Sequence, residues 1–172
     1  MFETAKFSAA EVLRNGCRIE IRALRPDDQA GLIEAVGRTS NQSLYRRLFG
    51  VRRGFSEREI AFFLNPDFLN HVALVAVVEE GNGQIAGGGR YIVVQPGTAE
   101  IAFAVIDEFQ GQGLGAALMR HLATIARDAG LTELIAEVLP DNSPMLRVFE
   151  KSGLRLSTTR EPAVIHITLQ LL

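Results

Sequence analysis

The chain has 172 residues, 47% of them hydrophobic and 22% charged, with a formal net charge of −2. That length suits one domain with a sizeable core, the composition excludes a disordered chain, and the near-neutral charge offers no basic field for nucleic-acid phosphates. Cys17 is the only cysteine, which excludes an internal disulfide and a cysteine-rich metal site, and no apolar run reaches membrane-spanning length. The opening stretch Met1-Phe2-Glu3-Thr4-Ala5-Lys6 has no signal-peptide core, so a reducing cytoplasm is the expected location, and neither nucleic acid nor a membrane is an expected partner.

Residues 1–10 are expected to be a flexible N-terminus, with one domain over 11–172. Glu11-Val12-Leu13 reads as a short strand that turns at Asn15-Gly16 into Arg18–Leu24, because Asn-Gly favours a two-residue hairpin and the second arm alternates apolar with charged residues. Pro26 ends that arm. Asp27 and Asp28 then open a helix to about Arg38, where their charge suits its dipole. From Ser40 to Asn65 the pattern is helical but broken by Gly50 and Gly54. Ser56-Glu57-Arg58-Glu59 reads as a capping box before an apolar run stopped by Pro66.

Val72–Glu79 and Ile85–Val94 read as strands around Gly81-Asn82-Gly83. The run Gly87-Gly88-Gly89 signals a bulge, a close backbone approach or a flexible edge. Gln95-Pro96-Gly97-Thr98 leads into a third antiparallel strand, Ala99 to Val105. A helix follows over Leu114–Ala129, with apolar side chains at helical spacing and Gly130 as its stop. Glu133–Val138 is a strand, completing a right-handed βαβ crossover. Ser143–Lys151 is the last helix, and strands over Arg155–Thr159 and Val164–Leu171 close the chain. The fold class is α/β, a mixed and mostly antiparallel sheet with helices on both faces.

The most informative stretch joins the third antiparallel strand to the helix after it: Gln110-Gly111-Gln112-Gly113-Leu114-Gly115-Ala116. Three glycines let a ligand approach the main chain, and the helix start offers unpaired N–H groups and a positive dipole end, a natural seat for phosphate. Gly111-x-Gly113-x-x-Ala116 also meets the looser dinucleotide pattern. However, antiparallel strands precede it and too little chain follows for a doubly wound sheet. A Walker loop is excluded because no Lys-Ser or Lys-Thr follows the glycines. A turn that only lets helix and strand pack closely is the plain structural alternative.

Gln110–Gly115 resembles the Q/R-x-x-G-x-G/A turn of the GNAT N-acetyltransferase superfamily, and Asn142–Leu154, with its Phe149-Glu150-Lys151-x-Gly153 ending, is similar to that superfamily's second signature. Ser43–Phe49, Ala73–Val77, Ala99–Ala102 and Leu139–Leu146 further resemble the acetyltransferase module of bacterial protein-lysine acetyltransferases, a likeness spanning roughly residues 11–160. The resemblance implies a sheet splayed at the cofactor site, with acetyl-CoA as cosubstrate. The main chain of Phe103, Ala104 and Val105 would run beside the pantetheine arm. Gly111, Gln112, Gly113, Leu114, Gly115 and Ala116 would take the diphosphate, and Asn142 would fix the arm or the gap between strands. It also implies that the early helical region forms one wall of the acceptor cleft.

An attacking lysine amine with a pKa of about 10.4 must lose a proton. Glu100, early on its strand among Ile101, Ala102 and Phe103, is the expected base, because apolar surroundings raise a carboxyl pKa. The alternative is a solvent-facing Glu at a strand start. A backbone N–H near Val105 is the expected donor to the developing oxyanion. Phe149 stands where many members of the superfamily have a proton-donating tyrosine, so no general acid is assigned. Neither Tyr45 nor Tyr91 is placed at the sulfur by the sequence. His121 reads as structural, and His71 and His166 lack ligand-spaced partners. Cys17 reads as inert, and Arg46, Arg47, Arg52 and Arg53 read as a solvated face or an anion-attracting cluster. The expected partner is an amine acceptor, a protein lysine or a small amine. A non-catalytic acyl-CoA sensor is the third reading, and a homodimer is one expectation for assembly.

Overall fold

The computed structural model describes residues 4–37, 57–80 and 83–171. Strands β1 (Ser8–Val12) and β2 (Arg18–Ala23) pair antiparallel through a hairpin at the expected Asn15-Gly16, but its loop is longer than two residues: the Leu13 amide bonds the Cys17 oxygen around residues 14–16, Gly16 takes the left-handed φ of 87° and the Asn15 Oδ1 accepts the Cys17 amide at 2.9 Å. Pairing begins at Ser8 against Arg22, so residues 8–10, expected to be loose, already belong to the sheet. Pro26–Asp28 form a 3-10 turn ahead of helix α1 (Gln29–Gly37). The Asp28 carboxylate closes this turn, accepting the Arg22 guanidinium at 2.7 and 2.9 Å and the Arg25 amide at 2.7 Å. Helix α2 (Glu57–Leu64) follows in the described chain. Its capping Ser56, the helical pattern of 40–56, Tyr45 and the four arginines at 46, 47, 52 and 53 lie outside the described residues.

Strand β3 (His71–Val78) is buried on both faces, which is why its sequence is a continuous apolar run rather than an alternating one. Strands β4 (Ile85–Gln95) and β5 (Thr98–Val105) continue the antiparallel series as expected. After them come a 3-10 turn at Asp107–Phe109, helix α3 (Leu114–Asp128), β6 (Glu133–Val138), helix α4 (Ser143–Glu150), β7 (Arg155–Arg160) and β8 (Ile165–Gln170). The eight strands form one sheet in the order β1-β2-β3-β4-β5-β6-β8-β7, and only β5 and β6 run parallel.

Side chains sort by strand parity. Leu74, Ile101, Phe103, Leu134 and Ile167 pack with Leu118, Leu122 and Phe149 of α3 and α4 on one face. Ala73 and Val75 pack with Ala35 of α1 and Leu64 of α2 on the other. Helices therefore cover both faces. Gly87–Gly89 lie in a central strand, not at an edge, and close approach explains them: a Cβ on Gly87 would stand 2.7 Å from the Ala104 oxygen, and one on Gly89 would stand 2.9 Å from Leu122 Cδ1. Among the described residues no helix is long and apolar enough to cross a membrane.

Candidate active site

Strands β5 and β6 pair over only three residues, Thr98 with Glu133, Ala99 with Leu134 and Glu100 with Ile135, although β5 runs on to Val105 and β6 to Val138. Beyond Glu100 the sheet parts along its middle. The Ile106 amide donates to the Ala86 oxygen at 2.9 Å. Because the N–H and C=O of one residue share a side and successive residues alternate, Ala104 and Ala102 bond toward β4, while Val105 and Phe103 present their polar groups to the gap. The Val105 oxygen accepts Gln110 Nε2 at 3.2 Å. Of the three strand residues expected beside a coenzyme arm, Phe103 and Val105 thus offer main-chain groups and Ala104 spends its own on the sheet. The Phe103 side chain is in the core, its ring centroid 5.5 Å from that of Phe149.

At the end of the gap the chain makes the glycine turn. Gly111 and Gly113 adopt φ of 76° and 94°, backbone that L side chains avoid, and a Cβ on Gly111 would meet nothing within 4 Å. Gly115 has a different reason to be glycine. Its Cβ would stand 3.2 Å from Val148 Cγ2 of α4, so it lets the two helices close together. Gly113 caps α3 without a side-chain hydrogen bond, and among the described residues the amides of Gly111 to Ala116 have no acceptor in the protein. Three of these amides precede the helix and three open its first turn, and unpaired amides at a helix start are suited to an anion. That open cradle is what the diphosphate of a coenzyme requires.

A cleft of about 360 Å³ joins this turn to α4. It is lined by Val105, Gly111, Gly113, Leu114, Gly115, Ala116 and Asn142 from the expected set, and by Arg14, Asp107, Asp141, Met145, Arg147, Val148 and Lys151 besides. Leu114 keeps its side chain in the core and has only its amide to give, while the Gln112 oxygen is turned away to accept the Arg14 amide at 3.0 Å. Asn142 caps α4, its Oδ1 accepting the Met145 amide at 3.3 Å. Arg147 and Lys151 could have been read from the second signature's helix. Arg14 carried no signal, since nothing in a hairpin tip says which distant loop it meets.

Glu100 is not in that cleft. It sits half-buried where β5 and β6 diverge, between Ile92 of β4 and Ile135 of β6, on the sheet face that carries α1 and α2. From Glu100 to Val105 the strand spans about 17 Å, so the carboxylate and the glycine turn lie at opposite ends of the gap. Phe149 is fully buried and offers no proton. Tyr91 is equally buried in the core, and burial pushes its phenol up to about 12. His121 is structural, as expected: its Nε2 lies 2.8 Å from the Glu11 carboxylate of β1 and its ring meets Phe7 edge-on. His166 lies 3.4 and 3.8 Å from the carboxylates of Glu161 and Glu137, and among the described residues no three metal-ligating side chains converge.

A sheet opened beside a glycine turn and helix start defines a transferase that draws an acyl group from a coenzyme held at the opening. The chain belongs to the acetyltransferase (GNAT) family, whose profile matches residues 38–154, and acetyl-CoA is its cosubstrate. It is 32% identical to an acetyltransferase of Pseudomonas aeruginosa over 72% of this chain and 68% of that one. It is 28% identical to the acetyltransferase Pat of Mycolicibacterium smegmatis over 82% of this chain, spanning 42% of that longer protein. Among solved structures it is similar to the GNAT domain of S. lividans PAT, with a TM-score of 0.83 and 31% identity, covering 95% of this chain and 96% of that one.

Proposed function

We propose that the protein transfers acetyl from acetyl-CoA to the side-chain amine of a protein lysine, by direct attack, with Glu100 as the general base. The observation that supports this is the parting of β5 from β6 immediately after Glu100, with the glycine turn and its cleft at the other end of the gap. The likeness to Pat and to the PAT domain supports a protein acceptor over a small amine.

The amides of Gly111 to Ala116 hold the diphosphate, and Phe103 and Val105 bind the arm as a missing strand would. Acetyl-CoA seated there supplies a thioester carbonyl open to attack. The sequence pointed to an amide near Val105, but that one lies about 17 Å from Glu100, so the gap-facing N–H nearer the base, that of Phe103, stabilises charge developing on the carbonyl oxygen. Glu100 accepts the proton of the attacking nitrogen, directly or through one water, because an amine with a pKa of about 10.4 is almost wholly protonated at neutral pH. Phe149 has no proton to give, so the departing sulfur takes its proton from water.

The test is mass spectrometry of a lysate incubated with isotopically labelled acetyl-CoA and either wild type or Glu100→Gln, beside a panel of small amines at initial rate. Label on defined lysines with wild type, reduced about 10²- to 10⁴-fold by the substitution, is the expected result. Equal labelling by both proteins would remove Glu100 from the mechanism. Turnover of small amines without protein labelling would replace the acceptor. CoA binding with no turnover on any amine would favour the sensor reading, which Phe149 motivates.

A further inference from the structure

We infer that Arg14, at the tip of the β1–β2 hairpin, is a coenzyme-recognition residue that props the glycine turn open from behind and directs its guanidinium to the diphosphate. This rests on the reading that the turn seats the diphosphate.

The hairpin tip is well fixed. Leu13 is buried in the main core, and its amide donates to the Cys17 oxygen at 2.9 Å across the turn. Arg14 therefore projects from a braced position. Its own amide donates to the Gln112 oxygen at 3.0 Å, and its Nη1 donates to the Gly111 oxygen at 3.3 Å. Two successive carbonyls of the turn are thus tied to one residue 97 positions or more upstream. Tying these carbonyls to the hairpin, with Gly111 and Gly113 in left-handed backbone, fixes the conformation of the turn and so the direction of the neighbouring amides. The protein's own hydrogen bonds hold the anion seat in its receptive form.

The same side chain also lines the cleft, and its Nε stands 3.9 Å from where a Cβ on Gly113 would be. A guanidinium has five N–H donors, and among the described residues the Arg14 side chain bonds a single acceptor, the Gly111 oxygen. Its planar fork suits paired phosphate oxygens. The opposite wall carries Arg147 and Lys151 on α4, and the carboxylates lining the cleft are Asp107 and Asp141. Gln110 Nε2 lies 3.3 Å from the Asp107 carboxylate, which occupies that acid at the strand side of the turn. Arg14 is the cation bonded to the turn itself, so the diphosphate, not the ribose 3′-phosphate, is the group it should read.

Calorimetry with three probes separates the possibilities: CoA, dephospho-CoA, which keeps the diphosphate but lacks the 3′-phosphate, and pantetheine, which has neither. Arg14→Gln should weaken CoA and dephospho-CoA alike by about tenfold, and Arg14→Lys by less, with pantetheine unchanged. The loss should shrink as salt rises, as for exposed charges. Because Arg14 is exposed and its main-chain bond survives substitution, both variants should melt close to wild type. Wild type that holds pantetheine as tightly as CoA would refute the diphosphate seat itself. Wild type that prefers CoA, with Arg14→Gln indistinguishable from it, would overturn this inference alone. A loss confined to CoA and absent with dephospho-CoA would overturn it too, assigning Arg14 to the ribose phosphate.

Discussion

Arg90 is a guanidinium in the middle of a sheet, 7% exposed, with its Nη1 2.6 Å from His71 Nε2. A contact that short requires the imidazole nitrogen to accept, so His71 is neutral and carries its proton on Nδ1. Burial, and then the Arg90 charge, push His71 down to about 4, while burial brings Arg90 to about 9, still charged at neutral pH. Phe62 stacks on the His71 ring at 4.8 Å. The unfolded chain takes up a proton near pH 6.5 that the folded chain refuses until about 4. Stability should therefore be full above pH 6.5 and decline between there and about 4, by up to about 3 kcal/mol from this group. Urea midpoints across that window should fall steeply in wild type and less in His71→Asn; parallel slopes would contradict this. Asp28 loses its contribution at lower pH. Burial opposes its ionisation, but the Arg22 guanidinium and the Arg25 amide outweigh it and hold the carboxyl below its usual range.

The glycines of the turn give a second prediction at this scale. Gly113→Ala forces a Cβ into left-handed backbone, which should cost about 1–2 kcal/mol by denaturant titration and weaken CoA binding together. Gly115→Ala keeps ordinary backbone and instead pushes Val148, so it should disturb α3–α4 packing first. A Gly113→Ala protein with unchanged CoA affinity would mean that the turn's conformation is not what binds.

Among the elements, β4 shows how much a strand can be shaped by what lies over it. Gly87 faces the Ala104 main chain and Gly89 faces Leu122 and Phe103, so Gly89→Ala should cost about 1–3 kcal/mol through overpacking, and Gly87→Ala more, since a carbonyl cannot rotate aside as a side chain can. Melting of the two variants is the check; a Gly87→Ala protein as stable as wild type would contradict the close approach to the Ala104 oxygen. The sequence left that choice open because three glycines look the same at an edge and in a centre. Other elements were legible for simple reasons. Asn15-Gly16 marks its hairpin, the α3 stripe marks its buried face, and β6 keeps the boundaries read for it. The gap was legible only through the family resemblance. It depends on how far β5 and β6 stay paired, and neither strand's residues encode that alone. Asn142 likewise turned out to be a helix cap, a role its position before Ser143-Pro144 allows but does not impose.

In the molecule as a whole, the sheet separates two tasks. The face under α3 and α4 holds the larger core, with the cleft at the glycine turn at the start of α3, while the face under α1 and α2 carries Glu100, His71 and Arg90. The gap between β5 and β6 is the place where the two faces communicate. On the proposed mechanism the coenzyme approaches the gap from the cleft side and the amine meets Glu100 from the other. The first hairpin also reaches far along the sequence: Arg14 closes on Gly111 and Gln112 at the cleft, and the Glu11 carboxylate of β1 takes Arg120 and His121 of α3 at 2.8 Å each. The first hairpin thereby fixes both the turn and the helix that follows it.

The most direct measurement is residue-resolved amide hydrogen exchange with and without CoA. If the turn is the diphosphate seat and the gap receives the arm, exchange should slow at Gly111 to Ala116 and at Phe103 and Val105, and remain unchanged at Ala129 and Gly130 at the far end of α3. CoA that binds without protecting the turn, or that protects it while leaving Phe103 and Val105 untouched, would contradict the placement of the coenzyme on which the roles of Glu100 and Arg14 depend.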